Sequence, residues 1–453
     1  MYTMRSVRWG GNLSDDPRRA IRTPVDDLRN VIAVGQGAVP TKPGVNQRLR
    51  ILVLSWNYPT LAAPQRGLWV ERMCDAIAAD ADVSVIVPTP WVPPLLPVSS
   101  LSRFRRVPGS ERRGDVNLYF PRVAGSIEYL THGFDARLAI PRVMALARTL
   151  HEQRPFDLVH AHFIYPDGVV ASRVGKDLGI PVMTSEHAPW LPWLSNRPRV
   201  GAMVEAALPG IKLVTAVSQF LLDKIDPYVD GRVETAVLPN VVDDTVFFPA
   251  PRSRDPNELL YVGLIREFKR VDVLLHAVAE VRRSMPALHL RIISAGGFRA
   301  YAKDRRRIVD LISSLGLNNA VQFVSGGADP AGVAEAMRRC AFVAVSSRRY
   351  ETFCSVAAES LACGTPLIIT RCGGPEEYVT SDDAVMVEPD SPSAFAEGIR
   401  EAFRRRDSFN ADEISERVVR RFGRTAWRKQ AMAAYQHIAN MGSMRHERVL
   451  SPR

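Results

Sequence analysis

Four apolar residues in a row, Ile51-Leu52-Val53-Leu54, open a series of short, predominantly apolar runs. Further runs stand at residues 83–87, 158–160, 182–185 and 213–217, and patterns of helical period separate several of them. Continuously apolar strands alternating with helices predict a parallel sheet covered on both faces. The arrangement returns at residues 259–262, 288–293, 321–323, 341–345 and 367–369, without a visible sequence repeat between the halves. Single hydrophobic cores stop growing near ~250–300 residues, so a chain of 453 residues that is 46% hydrophobic predicts two full-sized α/β domains. The change of domain falls near Leu238-Pro239-Asn240-Val241-Val242-Asp243. Phe422, Trp427 and Tyr435 mark a last helix. Residues 1–47 are polar, rich in arginine and closed by Val39-Pro40-Thr41-Lys42-Pro43-Gly44, which reads as a mobile tail, part of it upstream of the natural start. Residues 441–453 read as a second disordered tail.

Composition narrows the class. The five cysteines, Cys74, Cys340, Cys354, Cys363 and Cys372, are an odd number without paired metal spacing, which indicates reduced thiols in the cytoplasm rather than a disulfide framework. The start has no apolar core of signal-peptide length, and no later window approaches the ~20 apolar residues of a spanning helix. A formal net charge of +11 raises nucleic acid or an anionic membrane as partners. Nucleic acid is disfavoured, because the positive residues are dispersed and no helix-turn-helix, zinc or aromatic ribonucleoprotein signature is present. One segment, residues 91–113, joins Trp91-Val92-Pro93-Pro94-Leu95-Leu96-Pro97 to Leu101, Phe104, Arg103, Arg105, Arg106, Arg112 and Arg113. It reads either as a loop that docks peripherally on the inner membrane face or as an ordinary loop with a solvated charge run.

The candidate chemistry concentrates in residues 350–377. Glu351 and Glu359 stand eight positions apart, the second in a short helix that Gly364 ends at a left-handed cap with Pro366 beyond it. A buried strand follows, then Gly373-Gly374 ahead of a helix starting near Pro375, where bare N–H groups at a positive helix end would hold phosphate. Upstream, the strand ending at Val262-Gly263 runs into a turn with Arg266, Lys269 and Arg270. Cations at the carboxyl end of a parallel strand fit an anionic ligand, against the plainer reading of a solvated basic turn. His160-Ala161-His162 invites a metal, but metal sites need three or four ligands and no cysteine or carboxylate cluster accompanies the pair. His160 reads as a hydrogen-bonded core histidine, and His162 either as the same or as lining an acceptor side. Gly67, ahead of a helix, allows close approach of a ligand or simply a tight turn.

This order of elements, over roughly residues 48–440, resembles the retaining glycosyltransferases of family four, with the two-Rossmann-domain fold called GT-B. The resemblance implies an acceptor domain over 48–238, a donor domain over 239–423 with the hinge at its start, and a helix over 424–440 that crosses back to the first domain. It gives Glu359 the donor ribose, Glu351 the transferred sugar, and Lys269 the donor diphosphate. Where the family has arginine after the glycine of the first donor strand this chain has Leu264, so Arg266 is the substitute. Gly263, Gly373, Gly374, Pro375, Glu376 and Glu377 complete the donor site, Thr184-Ser185-Glu186-His187 resembles the segment whose histidine touches the donor sugar, and Gly67 and His162 face the acceptor. Two further departures are Cys354, where the family usually has glycine, and the single Gly67 in place of two glycines. The implied reaction moves a hexosyl unit from a nucleoside-diphosphate sugar to a saccharide, lipid-linked, with no metal or other cofactor and by same-face departure and attack. A sugar-nucleotide epimerase of the same fold and a non-catalytic sugar-nucleotide-binding protein are the alternatives.

Overall fold

The computed structural model describes residues 48–450 apart from 93–101, 125–134, 230, 251–253, 295–301, 326–328 and 349. The tail expected over 1–47 and residues 93–101 of the basic loop lie outside the described residues.

The first sheet contains β1 (Leu49–Leu54), β2 (Ala81–Ile86), β3 (Ser110–Arg113), β4 (Val116–Tyr119), β5 (Leu158–His162), β6 (Val182–Glu186), β7 (Leu213–Ala216) and β8 (Glu234–Val237). Its order is β8-β7-β6-β5-β1-β2-β4-β3, parallel except where β3 pairs with β4. The second contains β9 (Glu258–Val262), β10 (His289–Ser294), β11 (Val321–Ser325), β12 (Phe342–Val345), β13 (Leu367–Thr370) and β14 (Ala384–Val387), in the order β11-β10-β9-β12-β13-β14 and parallel throughout. Ile51 to Leu54 and Leu259 to Tyr261 are buried on both faces, as strands between two helical layers must be. The two-domain α/β architecture read from the apolar runs is therefore the one observed.

The helices that position the site are α1 (Leu68–Ile77), α2 (Gln219–Val229), α3 (Val271–Val281), α4 (Ser355–Ala362), α5 (Ala411–Phe422) and α6 (Arg424–Leu450). The last one crosses back: Trp427, Ala431, Tyr435 and Ile438 lie buried in one cluster with Ile51, Val53, Val70 and Leu158 of the first domain. Trp427 Nε1 donates to Pro239 O at 2.6 Å and Val242 N to Phe422 O at 2.8 Å, so both chain crossings between the domains run side by side. The helix runs on beyond residue 440 to Leu450, because no proline stands before Pro452 to stop it. Among the described residues, no helix is long and apolar enough to cross a membrane. All five cysteines are buried and unpaired.

Candidate active site

Both sheets turn the carboxyl ends of their strands to one cleft, the place where parallel sheets bind ligands. Lys269 sits in a single 3-10 turn after β9, and Glu351 in the loop after β12. The Lys269 ammonium and the Glu351 carboxylate form an ion pair that is largely buried on both sides, and Ser347 Oγ donates to the same carboxylate at 2.6 Å. Burial works against the lysine's charge, but Glu351, with Cys354 and Tyr261, outweighs it and holds Lys269 above its ordinary range, so the ammonium stays charged. Beyond Glu351 the chain turns through Cys354 at φ 60°, the left-handed conformation. A glycine at this place needs no other explanation, and the cysteine follows the same path at a cost of about 1–2 kcal/mol. Tyr378 Oη holds the turn from below, donating toward Phe353 O and Cys354 O at 2.8 and 3.1 Å.

The turn launches α4, which buries Glu359. Gly364, at φ +70°, ends that helix, and a Cβ there would stand 2.7 Å from Ala411 O. The partner of Glu359 comes from the other domain: Arg72, on α1, forms an ion pair with its carboxylate and lies over the Phe247 ring, 5.3 Å from its centroid. Burial raises the Glu359 pKa, and Arg72 opposes that shift.

Around Gly373-Gly374 the structure corrects the expectation of bare amides at a helix start. Gly373 N donates to Glu376 Oε1 at 2.9 Å, and Gly374 N donates to Glu351 O at 2.8 Å. The helix is a single 3-10 turn, Gly374–Glu377, with Pro375 contributing no donor. The glycines are required by proximity instead. A Cβ on Gly374 would stand 1.9 Å from Thr352 O, and one on Gly373 2.6 Å from Phe220 Cε1. Glu377 faces the first domain, where its carboxylate accepts from Gln219 N and Phe220 N at 3.0 and 2.6 Å and so caps α2. Arg266 is half-buried just ahead of the turn that carries Lys269. Arg270 is committed elsewhere, to Asp272 at 3.0 Å and to Asp390. Gly263 closes β9 where a Cβ would stand 3.2 Å from Tyr261 Oη.

On the opposite wall, three buried histidines form a row. His160 Nδ1 meets Tyr435 Oη at 2.9 Å and its Nε2 meets Ser185 Oγ at 2.8 Å, a satisfied core histidine that fastens α6 to the sheet. His162 Nδ1 lies 2.9 Å from His187 Nε2, and His187 Nδ1 lies 3.1 Å from Asn240 Oδ1. Burial lowers the His187 pKa to about 4 and that of His162 well below its ordinary value, so both rings are neutral near pH 7. Thr352 Oγ1, from the second domain, donates to His187 O at 2.7 Å. Trp190, 50% exposed, stacks on Phe163 beside this row with an interplanar angle of 9°. Beneath it Glu186 accepts from Ile164 N, and burial pushes its pKa up to about 8. Gly67 (φ +69°) is explained by packing, since a Cβ there would stand 2.1 Å from Asn57 O.

The sequence did not single out Arg72, Asn240, Thr352 or Trp190. The first pairs with a residue far along the chain, and none carries a local pattern. Of the five arginines assigned to the basic loop, Arg112 pairs with Asp115 at 3.2 Å and Arg113 with Glu71 and Glu111, both from a strand rather than a loop. Arg103, Arg105 and Arg106 are exposed, as is Trp91 at 55%. A group able to hold a cation, Asp255, Glu258 and His289, stands at the opposite end of the second sheet, where Arg291 already pairs with Glu258 at 2.8 Å.

Two family models match the chain: Glycosyltransferase Family 4 over residues 67–246 and Glycosyl transferases group 1 over residues 243–417. A D-inositol 3-phosphate glycosyltransferase of Nocardiopsis dassonvillei is 29% identical over 335 residues, covering 66% of this chain and 70% of the relative. Among solved structures, the sucrose-phosphate synthase of Thermosynechococcus elongatus superposes with a TM-score of 0.68 at 21% identity, over 86% of this chain and 98% of that one. Anabaena HepE, solved in complex with UDP, gives a TM-score of 0.64 at 17% identity, over 86% and 100% of the two chains. The two models meet at the hinge and together span most of the chain, which belongs to the glycosyltransferases of family four, built on the GT-B fold.

Proposed function

We propose that this glycosyltransferase moves a hexosyl unit from a nucleoside-diphosphate sugar to a hydroxyl of a lipid-linked saccharide, with retention of configuration, at the cytoplasmic face of a membrane. The observation that carries the reading is the Lys269–Glu351 pair, a buried cation kept charged at the carboxyl end of β9. As the bond from sugar to diphosphate breaks, negative charge grows on the leaving group, and Lys269 with Arg266 stabilises it in a site with little water. Glu351, released toward the sugar, accepts from its hydroxyls. Glu359 accepts from the two ribose hydroxyls, charge-assisted bonds being about twice as strong as neutral ones. Protein cations rather than a metal ion answer the diphosphate, and departure and attack occur on one face of the sugar, so no dedicated base is needed. The contacts Thr352–His187, Arg72–Glu359 and Glu377–α2 hold the domains closed and keep water, the competing acceptor, from the cleft.

Uridine nucleotides are the donors to try first, since solved neighbours carry UDP or UDP-glucose. The membrane reading rests on Trp91 with Arg103, Arg105 and Arg106. A phosphorylated polyol is the competing acceptor, because a relative is named for D-inositol 3-phosphate. The purified protein is incubated with a panel of α-linked sugar nucleotides, with and without each acceptor class, and nucleoside diphosphate release is followed. Proton NMR of the anomeric signal in fresh product then reports configuration. Release that depends on lipid-linked saccharide and an α product are expected. A β product overturns the mechanism, and turnover only with a polyol phosphate overturns the acceptor.

A further inference from the structure

The imidazoles on the first-domain wall are wired in a definite direction. A neutral imidazole has one N–H donor and one bare nitrogen, and which is which follows from its partners. Asn240 Oδ1 can only accept, so the hydrogen of His187 sits on Nδ1, 3.1 Å away. His187 Nε2 is then bare and must itself accept, which places the hydrogen of His162 on Nδ1, 2.9 Å away. His162 Nε2 is left as a bare lone pair. The neighbouring His160 belongs to a separate chain that runs to a close: Thr215 Oγ1 donates to Thr184 O, Ser185 Oγ to Thr215 Oγ1, His160 Nε2 to Ser185 Oγ, and Tyr435 Oη to His160 Nδ1. The His162 chain has no such end. Among the described residues no group bonds its Nε2, and that nitrogen is not one of the sealed, unpaired atoms. It lies on the last residue of β5, at the carboxyl end of the sheet.

We propose that Asn240 is a positioning residue that fixes the tautomers of His187 and His162, so that His162 Nε2 presents a lone pair to a hydroxyl of the bound sugar. This rests on the transferase reading above. Asn240 is well placed for the task. It is buried, it lies in the hinge, and its neighbours are fastened by Leu238 N to Ala216 O at 2.9 Å and by Trp427 Nε1 to Pro239 O at 2.6 Å. His187 is thereby held by the hinge through its ring and by the second domain through Thr352. An imidazole turned to the other tautomer would present an N–H, which the sugar hydroxyl could meet only as acceptor, so the tautomer sets the direction of that hydrogen bond and how the hydroxyl's own hydrogen must turn.

The test uses the whole protein labelled with 15N-histidine at neutral pH, with the resonances assigned through His162→Gln and His187→Gln. Long-range proton–nitrogen correlations distinguish protonated from bare ring nitrogens. Wild type should show both rings protonated at Nδ1, the less common form of free histidine. A wild-type His187 protonated at Nε2 overturns the proposal without any variant. In Asn240→Leu the two Nδ1–H signatures should be lost, while Asn240→Asp, which keeps an acceptor oxygen, retains them. Turnover of the sugar nucleotide, read as kcat/KM, should fall about tenfold in Asn240→Leu, the loss of one hydrogen bond, with Kd for the free nucleoside diphosphate unchanged. Tautomers that survive Asn240→Leu, or a tautomer change with kcat/KM intact, overturn it. If wild type releases no nucleoside diphosphate from any donor, the transferase reading is what fails, and the spectra still decide the tautomers.

Discussion

Arg72 and Glu359 set up a thermodynamic cycle with opposite outcomes for affinity and stability. Their side chains are 15% and 9% exposed. Glu359→Ala removes a charged acceptor from the ribose site, which should weaken nucleoside diphosphate binding by about 1.5–3 kcal/mol, or roughly 10- to 150-fold. The same change strands the Arg72 guanidinium. Breaking a buried pair from one side costs about 3–5 kcal/mol, and the remaining exposure and the Phe247 face bring this to the low end of that range. Arg72→Ala/Glu359→Ala removes the stranded charge, so stability should recover by about 1–2 kcal/mol over Glu359→Ala while affinity stays low. Arg72→Ala alone leaves the carboxylate to the ribose, and affinity should hold or rise. Calorimetric titration with the nucleoside diphosphate and urea denaturation of all four proteins measure both quantities. Wild-type affinity in either protein lacking Glu359 would refute the ribose assignment. Equal stability of the single and double variants would refute the view of Arg72 as its counter-ion.

Lys269→Ala should lower kcat by about 100-fold with a smaller effect on donor KM, because leaving-group charge grows only toward the transition state; steady-state kinetics that leave kcat alone would place the lysine outside the site. Cys354→Gly should be about 1 kcal/mol more stable than Cys354→Ala in urea, since only glycine relieves the left-handed φ of 60°, and equal midpoints would remove the strain. Glu186, with its pKa raised from 4.5 to about 8 by burial, keeps a proton in the folded state that the unfolded chain has released. Its contribution is lost as pH rises toward 8, on the order of 2 kcal/mol between pH 6 and 8. Glu186→Gln should flatten that fall, and an unchanged slope of stability with pH would contradict it. Replacing Arg103, Arg105 and Arg106 with serine should reduce co-sedimentation with anionic liposomes at low salt while donor binding persists; unchanged co-sedimentation would return this rim to plain solvation.

The sheets were legible because most of their strands are buried on both faces and read as predominantly apolar runs. Three strands that escaped notice lack this pattern: β4 alternates Val116, Asn117, Leu118 and Tyr119 between buried and open faces, β3 is Ser-Glu-Arg-Arg, and β8 is a short edge strand; β14, Ala-Val-Met-Val, escaped notice although it is apolar and mostly buried. In the site, Cys354 stood out only as a departure from the family's glycine until its left-handed φ was seen, whereas the short helix that carries Glu359 and its stop at Gly364 could be anticipated from local chemistry. The partners could not, since Arg72 reaches Glu359 across 287 positions and Asn240 reaches His187 across 53. The glycine pair misled for a physical reason: a short distance to Thr352 O and Phe220 demands glycine as strictly as a phosphate would, and sequence does not tell the two demands apart.

The buried Trp427 and Tyr435 of α6 have a consequence for how the protein is made. They belong to the core of the first domain but are synthesised after the whole of the second. At roughly 5–20 residues per second, the first domain waits about 10–40 seconds on the ribosome with the seat of Trp427 and Tyr435 open. Completion of the amino-terminal half is thus tied to arrival of the carboxyl-terminal helix, and a chain broken off before residue 424 would leave an unfinished core at its beginning, a mark by which quality control can tell a truncated transferase from a whole one.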